Sequence, residues 1–115
     1  MMDVSKLTVR SIMKEWHSPN TYNNNFAIPE AVGGVYAIFG YRLPYDTVEP
    51  KVLECIYVGA STNLYKRYLG HPVRSNSTFW WNCFYWKQCD NPFEVEILLI
   101  KRLKPLLNKR HNSAA

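Results

Sequence analysis

The segment from Thr78 to Trp86, Thr-Phe-Trp-Trp-Asn-Cys-Phe-Tyr-Trp, constrains the fold more than any other part of the chain. So many aromatic side chains favour a β-strand, in which neighbouring residues point to opposite faces of a sheet. Phe84 and Trp86 would then lie on one face, and Cys83 and Tyr85 on the other. Because both faces are apolar, we expect helices to cover the sheet on each side.

Two other segments have the composition of β-strands. Residues 33–41 are β-branched and aromatic and are bounded by glycines, and residues 52–58 form a second apolar run. Proline and aspartate interrupt the chain between them. The pattern predicts an antiparallel hairpin whose strands are joined by a long charged loop over residues 40–54.

Helical periodicity appears near the N-terminus. Apolar residues recur at spacings of three and four along one helical face, namely at Val9, Ile12, Met13 and Trp16. Ser5 is the predicted N-cap of this helix. Residues 17–32 are rich in turn-forming residues, and we expect them to form a surface loop.

Capping and breaking residues predict two more helices. Ser61 or Thr62 is a suitable N-cap for a helix that Gly70 stops. Asn91 is a suitable N-cap for another helix, which opens with a proline and ends at residues 104–105. The order of strand, strand, helix, strand and helix behind an N-terminal helix predicts an α+β fold.

The composition fits one folded domain. A chain of 115 residues with 47% hydrophobic content can close a core without disulfides or metals. The three cysteines form no Cys-x-x-Cys pair, which favours reduced packing thiols over a zinc site. Neither a signal sequence nor a membrane span is recognisable, so we expect a soluble, cytoplasmic protein. The net charge of +5 suits a nucleic-acid partner and, equally, ordinary solubility.

A set of polar and glycine residues is distributed over the predicted strands and helices. Its members, in chain order, are Gly34-Val35-Tyr36, Tyr57-Val58-Gly59, Arg67, His71, Glu96, Pro105 and Asn108. In order and spacing this set resembles the GIY-YIG nucleases, with valine in place of the central isoleucine of both tripeptides. The similarity covers residues 33–109. Each residue singly has an ordinary structural explanation, so only the combination supports the resemblance.

The resemblance implies a fold, an activity and a domain layout. The family fold is a three-stranded antiparallel sheet flanked by helices, and its members cut phosphodiester bonds in DNA with a divalent metal. Residues 33–110 would form the nuclease domain, residues 1–32 an N-terminal extension of helix and loop, and residues 111–115 a tail. We therefore expect an endonuclease that uses Mg²⁺ or Mn²⁺.

Two of the matched residues suit the handling of charge. Hydrolysis of a phosphodiester needs an activated water and neutralisation of the charge that develops on the phosphoryl and leaving oxygens. Glu96 offers a hard carboxylate ligand for the metal, and one such ligand is enough for Mg²⁺, which keeps several waters. Arg67 offers a planar charged fork for a phosphate oxygen in the transition state.

The other matched residues would serve the attacking water. Tyr36 is the candidate to activate it, although a free phenol is a weak base at neutral pH and needs a proton acceptor. His71, four residues after Arg67, can take that proton. Tyr57 would orient the water or the phosphate, and Asn108 would hold the phosphate or the tyrosine pair.

Basic residues near the matched positions predict contacts with a nucleic-acid backbone. They are Lys66, Lys104, Lys109 and Arg110. The expected partner is double-stranded or branched DNA. Because no appended DNA-binding domain is recognisable, a homodimer or a separate specificity partner would supply target selection. The loop over residues 40–54 is a further candidate for contacting DNA or a second copy of the chain.

Two alternatives to a sequence-directed nuclease stay open. A nuclease-fold module that binds nucleic acid or protein without cutting it would contain the same elements. A structure-selective repair or recombination nuclease, which recognises branched DNA by shape, would share the chemistry and differ in substrate. Cleavage assays on linear, single-stranded and branched DNA distinguish these three functions.

Overall fold

The computed structural model describes residues 3–18, 32–42, 53–71 and 79–108. A 3₁₀ helix, Val4–Lys6, precedes three α-helices and three β-strands. In chain order these are α1 (Val9–Glu15), β1 (Gly34–Arg42), β2 (Glu54–Ser61), α2 (Leu64–Gly70), β3 (Phe79–Gln88) and α3 (Pro92–Leu103). The predicted order of elements and the α+β class are confirmed.

The three strands form one antiparallel sheet in the order β2-β1-β3, so β1 is the central strand. Ile38 opposes Tyr57 on β2, whereas Phe39 opposes Cys55, which leaves Ile56 as an extra residue in a β-bulge. The bulge interrupts the alternation of β2. Ile56 and Tyr57 consequently pack on the same side of the sheet.

Helices cover both faces of the sheet, as the aromatic β3 predicts. The 3₁₀ helix, α1 and α3 pack on the face that carries Cys83 and Tyr85. On the opposite face Phe84 and Trp86 pack with Leu64 of α2. Because each face of β1 is fully covered, this strand is buried from Gly34 to Gly40. No helix among the described residues has the length and hydrophobicity to cross a bilayer.

The N-terminal segment begins differently from the predicted helix. Ser5 is not an α-helical N-cap, because its hydroxyl and amide bond to Asp3 and the chain closes a 3₁₀ turn. The extended backbone of Leu7 then buries its side chain against the core. Thr8 caps α1 instead, in a reciprocal capping box with Ser11. The predicted apolar stripe of α1 is confirmed, with Ile12 fully buried.

Short extended segments pair with both outer strands. His17 exchanges backbone hydrogen bonds of 2.8 and 3.0 Å with Trp86 of β3. The loop predicted over residues 17–32 is therefore wrong at His17, and residues 19–31 lie outside the described residues. At the other edge, the amide of Leu107 donates to the carbonyl of Ile56 at 2.8 Å. Residues 43–52, the middle of the expected long loop, also lie outside the description.

Candidate functional site

Tyr36 lies at the centre of the site. It occupies the middle strand, opposite Gly59 on β2 and Trp86 on β3, and its side chain is only 1% exposed. The phenol ring crosses directly over Gly59, where a Cβ atom would overlap both the ring and the hydroxyl oxygen. Gly59 therefore provides the space that the Tyr36 ring fills, because every other residue type has a Cβ.

The helix α2 brings a cation and an imidazole to Tyr36. Asn63 is its N-cap, accepting a hydrogen bond from the amide of Lys66 at 3.1 Å. The prediction that Ser61 or Thr62 is the N-cap is wrong. The Ser61 hydroxyl instead accepts a hydrogen bond from the amide of Asn63 and donates one to the carbonyl of Asn63. The helix ends at Gly70, as predicted.

Arg67 and His71 both reach the hydroxyl of Tyr36. The Arg67 Nε–H donates to the Tyr36 oxygen at 3.2 Å. The His71 Nε2 lies 3.0 Å from the same oxygen, and His71 itself is 3% exposed. The two residues that the sequence places four positions apart thus meet at one phenol oxygen.

These contacts leave two arrangements for the Tyr36 proton. The phenol oxygen accepts from the Arg67 Nε–H and lies within hydrogen-bond distance of His71 Nε2. In the tautomer whose ring proton is on Nδ1, Nε2 accepts from the Tyr36 hydroxyl, and in the other tautomer Nε2 donates to the same oxygen. Burial raises the pKa of Tyr36, and this effect outweighs the opposite effect of the Arg67 hydrogen bond. Tyr36 is therefore a neutral phenol at pH 7.

Aromatic contacts hold the hydrogen-bonded group in place. The rings of Tyr36 and Phe84 stack with centroids 5.1 Å apart, and Tyr57 lies on the other flank at 6.2 Å. The edge of His71 contacts Tyr57, with centroids 4.6 Å apart. Tyr57 is partly exposed, whereas Tyr36 and His71 are buried. Of the two tyrosines, Tyr57 is therefore the more accessible to a bound substrate.

Glu96, the acidic residue of the matched set, is close enough to Tyr36 to act on it electrostatically. It lies in the first half of α3, is partly buried, and its charge contributes to the raised pKa of Tyr36. Among the described residues, no three His, Cys, Asp or Glu side chains come together as a metal site. A single carboxylate still fits Mg²⁺, which binds proteins through one or two carboxylates and takes its other ligands from water and phosphate.

Asn108 pairs with the backbone of β2. It is buried, and its Oδ1 accepts from the Val58 amide while its Nδ2 donates to the Val58 carbonyl, both at 2.8 Å. The side-chain amide thus pairs with β2 as a neighbouring strand would. Asn108 supports the site by holding the strand that carries Tyr57 and Gly59.

Of the four basic residues expected to contact DNA, the structure describes two. Lys66 and Lys104 are exposed, at the first turn of α2 and at the C-terminal end of α3. Lys109 and Arg110 lie outside the described residues. The pKa of Arg67 is raised mainly by its hydrogen bond to Tyr36. Arg67 therefore stays charged at any working pH.

Two residues that support the site have no predicted role. For Phe84, which stacks on Tyr36, the sequence predicts only a sheet face. His17 is predicted to lie in a loop, but the centroid of its ring lies 4.8 Å from that of Trp86, which is next to Tyr36. The register of β3 against β1 would have identified the first, and nothing in the local sequence indicates the second.

Comparison with known proteins does not identify the chain. It matches no protein-family profile, no curated protein and no solved structure.

Proposed function

We propose that the protein is a divalent-metal-dependent endonuclease that hydrolyses phosphodiester bonds in DNA. The observation that carries the proposal is the convergence of Arg67 and His71 on the hydroxyl of Tyr36. A phenol that is held by a cation and by a proton acceptor is a group arranged for proton transfer. The resemblance of these residues to the GIY-YIG nucleases supports the same function.

The proposed proton path begins at the attacking water. Tyr36 has a raised pKa, so it cannot act as a preformed phenolate. Its oxygen instead takes a proton from water while its own proton moves to His71 Nε2, 3.0 Å away. The resulting hydroxide attacks phosphorus, the bond to the leaving oxygen breaks, and that oxygen takes a proton from solvent. Tyr57, at the accessible side of Tyr36, orients the water.

Arg67 and Glu96 handle the negative charge. The Nε atom of Arg67 is committed to Tyr36, so the proposal assigns phosphate binding to its Nη groups. Glu96 would hold Mg²⁺ or Mn²⁺, which supplies charge neutralisation at the phosphoryl and leaving oxygens when bound. Both residues lie within electrostatic range of the Tyr36 hydroxyl.

The proposed substrate is DNA, approached on the side of Tyr57 and α2. The net charge of +5 and exposed Lys66 favour a polyanion. Linear duplex and branched DNA share the same phosphate chemistry, so shape recognition would decide between a site-specific and a structure-selective enzyme.

Substitution of Tyr36 tests the proposal most directly. Tyr36→Phe keeps the ring over Gly59 and against Phe84 but removes both hydrogen bonds, and we expect kcat to fall about 10²- to 10⁴-fold. Tyr85→Phe, on the opposite face, is the matched control and should cut normally. The assay uses linear, single-stranded and branched DNA with Mg²⁺ or Mn²⁺.

Glu96→Gln provides the second arm of this test. It should abolish cleavage while leaving the circular dichroism spectrum unchanged, and the exposed Glu15→Gln should have no effect. Wild-type protein that binds DNA but cuts none of the three substrates would be a binding module, and the nuclease proposal would then be wrong.

A further inference from the structure

The helix α3 has an outward face that does not contact the sheet. Val95, Leu99 and Ile100 turn inward and are buried in the core. On the opposite side Leu98 is 44% exposed, and Phe93, at the start of the helix, is 54% exposed. Exposed single apolar residues are common on protein surfaces, so the exposure alone does not indicate a partner.

The charges on this outward face form a symmetric pattern. Glu94 and Lys101 are both exposed and lie on the same side of the helix, seven residues or about two turns apart. Their midpoint falls between Ile97 and Leu98, so an apolar pair separates an acidic end from a basic end. A second copy of α3 laid antiparallel on this face presents the opposite charge at each end.

We propose that the outward face of α3 pairs antiparallel with α3 of a second copy of the chain. A two-fold axis through the midpoint sets Glu94 of each copy against Lys101 of the other, which gives two ion pairs. Ile97 and Leu98 of both copies pack between them. A uniformly acidic or basic partner would meet one favourable and one repulsive charge, so this pattern favours self-association.

The expected dimer is weak in free solution. The twelve residues of α3 span about 18 Å, and a single helix pair of this length buries less area than a stable dimer needs. Binding to DNA would strengthen it by raising the local concentration of protomers.

The dimer has a consequence for the substrate, which rests on the proposed function. The core residues of α3 pack on one face of the sheet, and Tyr36 and Tyr57 lie on the other. Pairing through α3 therefore directs the tyrosines of the two copies away from each other, on the order of 30 Å apart by the spacing of packed layers, while Glu96 lies on the paired helices between them. A dimer whose phenols are this far apart engages two DNA segments rather than the two strands of one duplex at a single point.

Charge reversal tests the pairing without reference to cleavage. In Glu94→Lys alone, or in Lys101→Glu alone, each homodimer would bring like charges together at both ends. An equimolar mixture of the two variants restores both attractions. We expect sedimentation equilibrium in the absence of DNA to show that each variant associates about tenfold more weakly than wild type, and that the mixture associates as wild type does.

Matched reversals on α1 serve as controls. Lys14→Glu and Glu15→Lys change the same charges at exposed positions away from the pairing face and should leave association unchanged. Circular dichroism checks that all variants keep their helices, and Leu98→Ser should weaken association without altering charge. The proposal is overturned if wild type stays monomeric up to about 1 mM, or if the mixture associates no better than its components. Neither result depends on whether the protein cuts DNA.

Discussion

At the scale of single residues, the site depends on how closely Tyr36 approaches Gly59. The phenol reaches Arg67 and His71 only because β2 has no side chain at the position it crosses. Asn108 acts on the same strand from the other side, by filling the hydrogen bonds of Val58. The identities of Gly59 and Asn108, which position the phenol, therefore matter to the site as much as those of the two residues that bond to it.

Gly59→Ala should displace Tyr36 and lower stability. The new Cβ overlaps the phenol ring and hydroxyl, so we expect a loss of about 1–3 kcal/mol in urea unfolding and loss of cleavage. Gly70→Ala is the control, because a Cβ there meets nothing within 4 Å in a helix and should stabilise by about 0.5–1 kcal/mol. Equal effects of the two substitutions would contradict the role assigned to Gly59.

At the scale of secondary structure, the end of α3 carries strain beside the segment that covers β2. Lys104 is the C-cap with φ 48° and ψ 60°, a left-handed conformation that residues with a Cβ adopt at a cost. From this turn the chain passes to Leu107, which bonds to Ile56, and to Asn108. The turn therefore directs the C-terminal segment along the sheet edge.

Lys104→Gly separates backbone strain from DNA binding. Glycine adopts the left-handed conformation freely, so we expect stability to rise by about 0.5–1 kcal/mol in denaturant titration. If Lys104 also contacts phosphate, DNA affinity falls. The slope of log affinity against log salt concentration then becomes shallower by about one, because one counterion fewer is released on binding. Lys104→Ala removes the charge without relieving the strain, so a stability gain of equal size with alanine would count against this explanation.

At the scale of the whole molecule, two apolar layers enclose groups that ionise poorly. Burial raises the pKa of the Cys55 thiol from 9.0 to about 12, and burial, the largest cause, raises the pKa of Tyr85 from 10.0 to about 12. Burial also raises the pKa of Tyr36. All three groups stay protonated in the folded chain at a pH where the unfolded chain would lose their protons.

The free energy of unfolding should therefore fall at alkaline pH. A raised pKa gives stability that is complete below the unfolded pKa and is lost as pH rises toward the folded pKa. We expect a plateau below pH 9 and a decline from pH 9 to 12, with a slope of up to about 1.4 kcal/mol per pH unit from the buried Cys55 thiol. Urea titrations at stepped pH measure it, and Cys55→Ala should make the decline shallower. If the free energy of unfolding declines with pH as steeply in that variant as in wild type, folding does not protect the Cys55 thiol from ionisation.

The local sequence determined the elements and most of the candidate site. Alternating apolar residues, glycines and prolines define the strands and helices of this chain, because side-chain direction and backbone freedom are local properties. The same local properties predict that Tyr36 and Tyr57 lie on neighbouring strands and that Arg67 and His71 lie one helical turn apart.

The tertiary structure decided the contacts that those residues make. The bulge put Ile56 on the same face as Tyr57, and strand register set the Tyr36 phenol over Gly59. The amide of Asn108 bonded to Val58, fifty residues earlier in the chain, and His17 paired with Trp86. The pairings of Asn108 and His17 depend on which strand edges remain open after the sheet forms. Such an edge exists only in the folded chain, so the spacing of residues in the sequence carries no information about it.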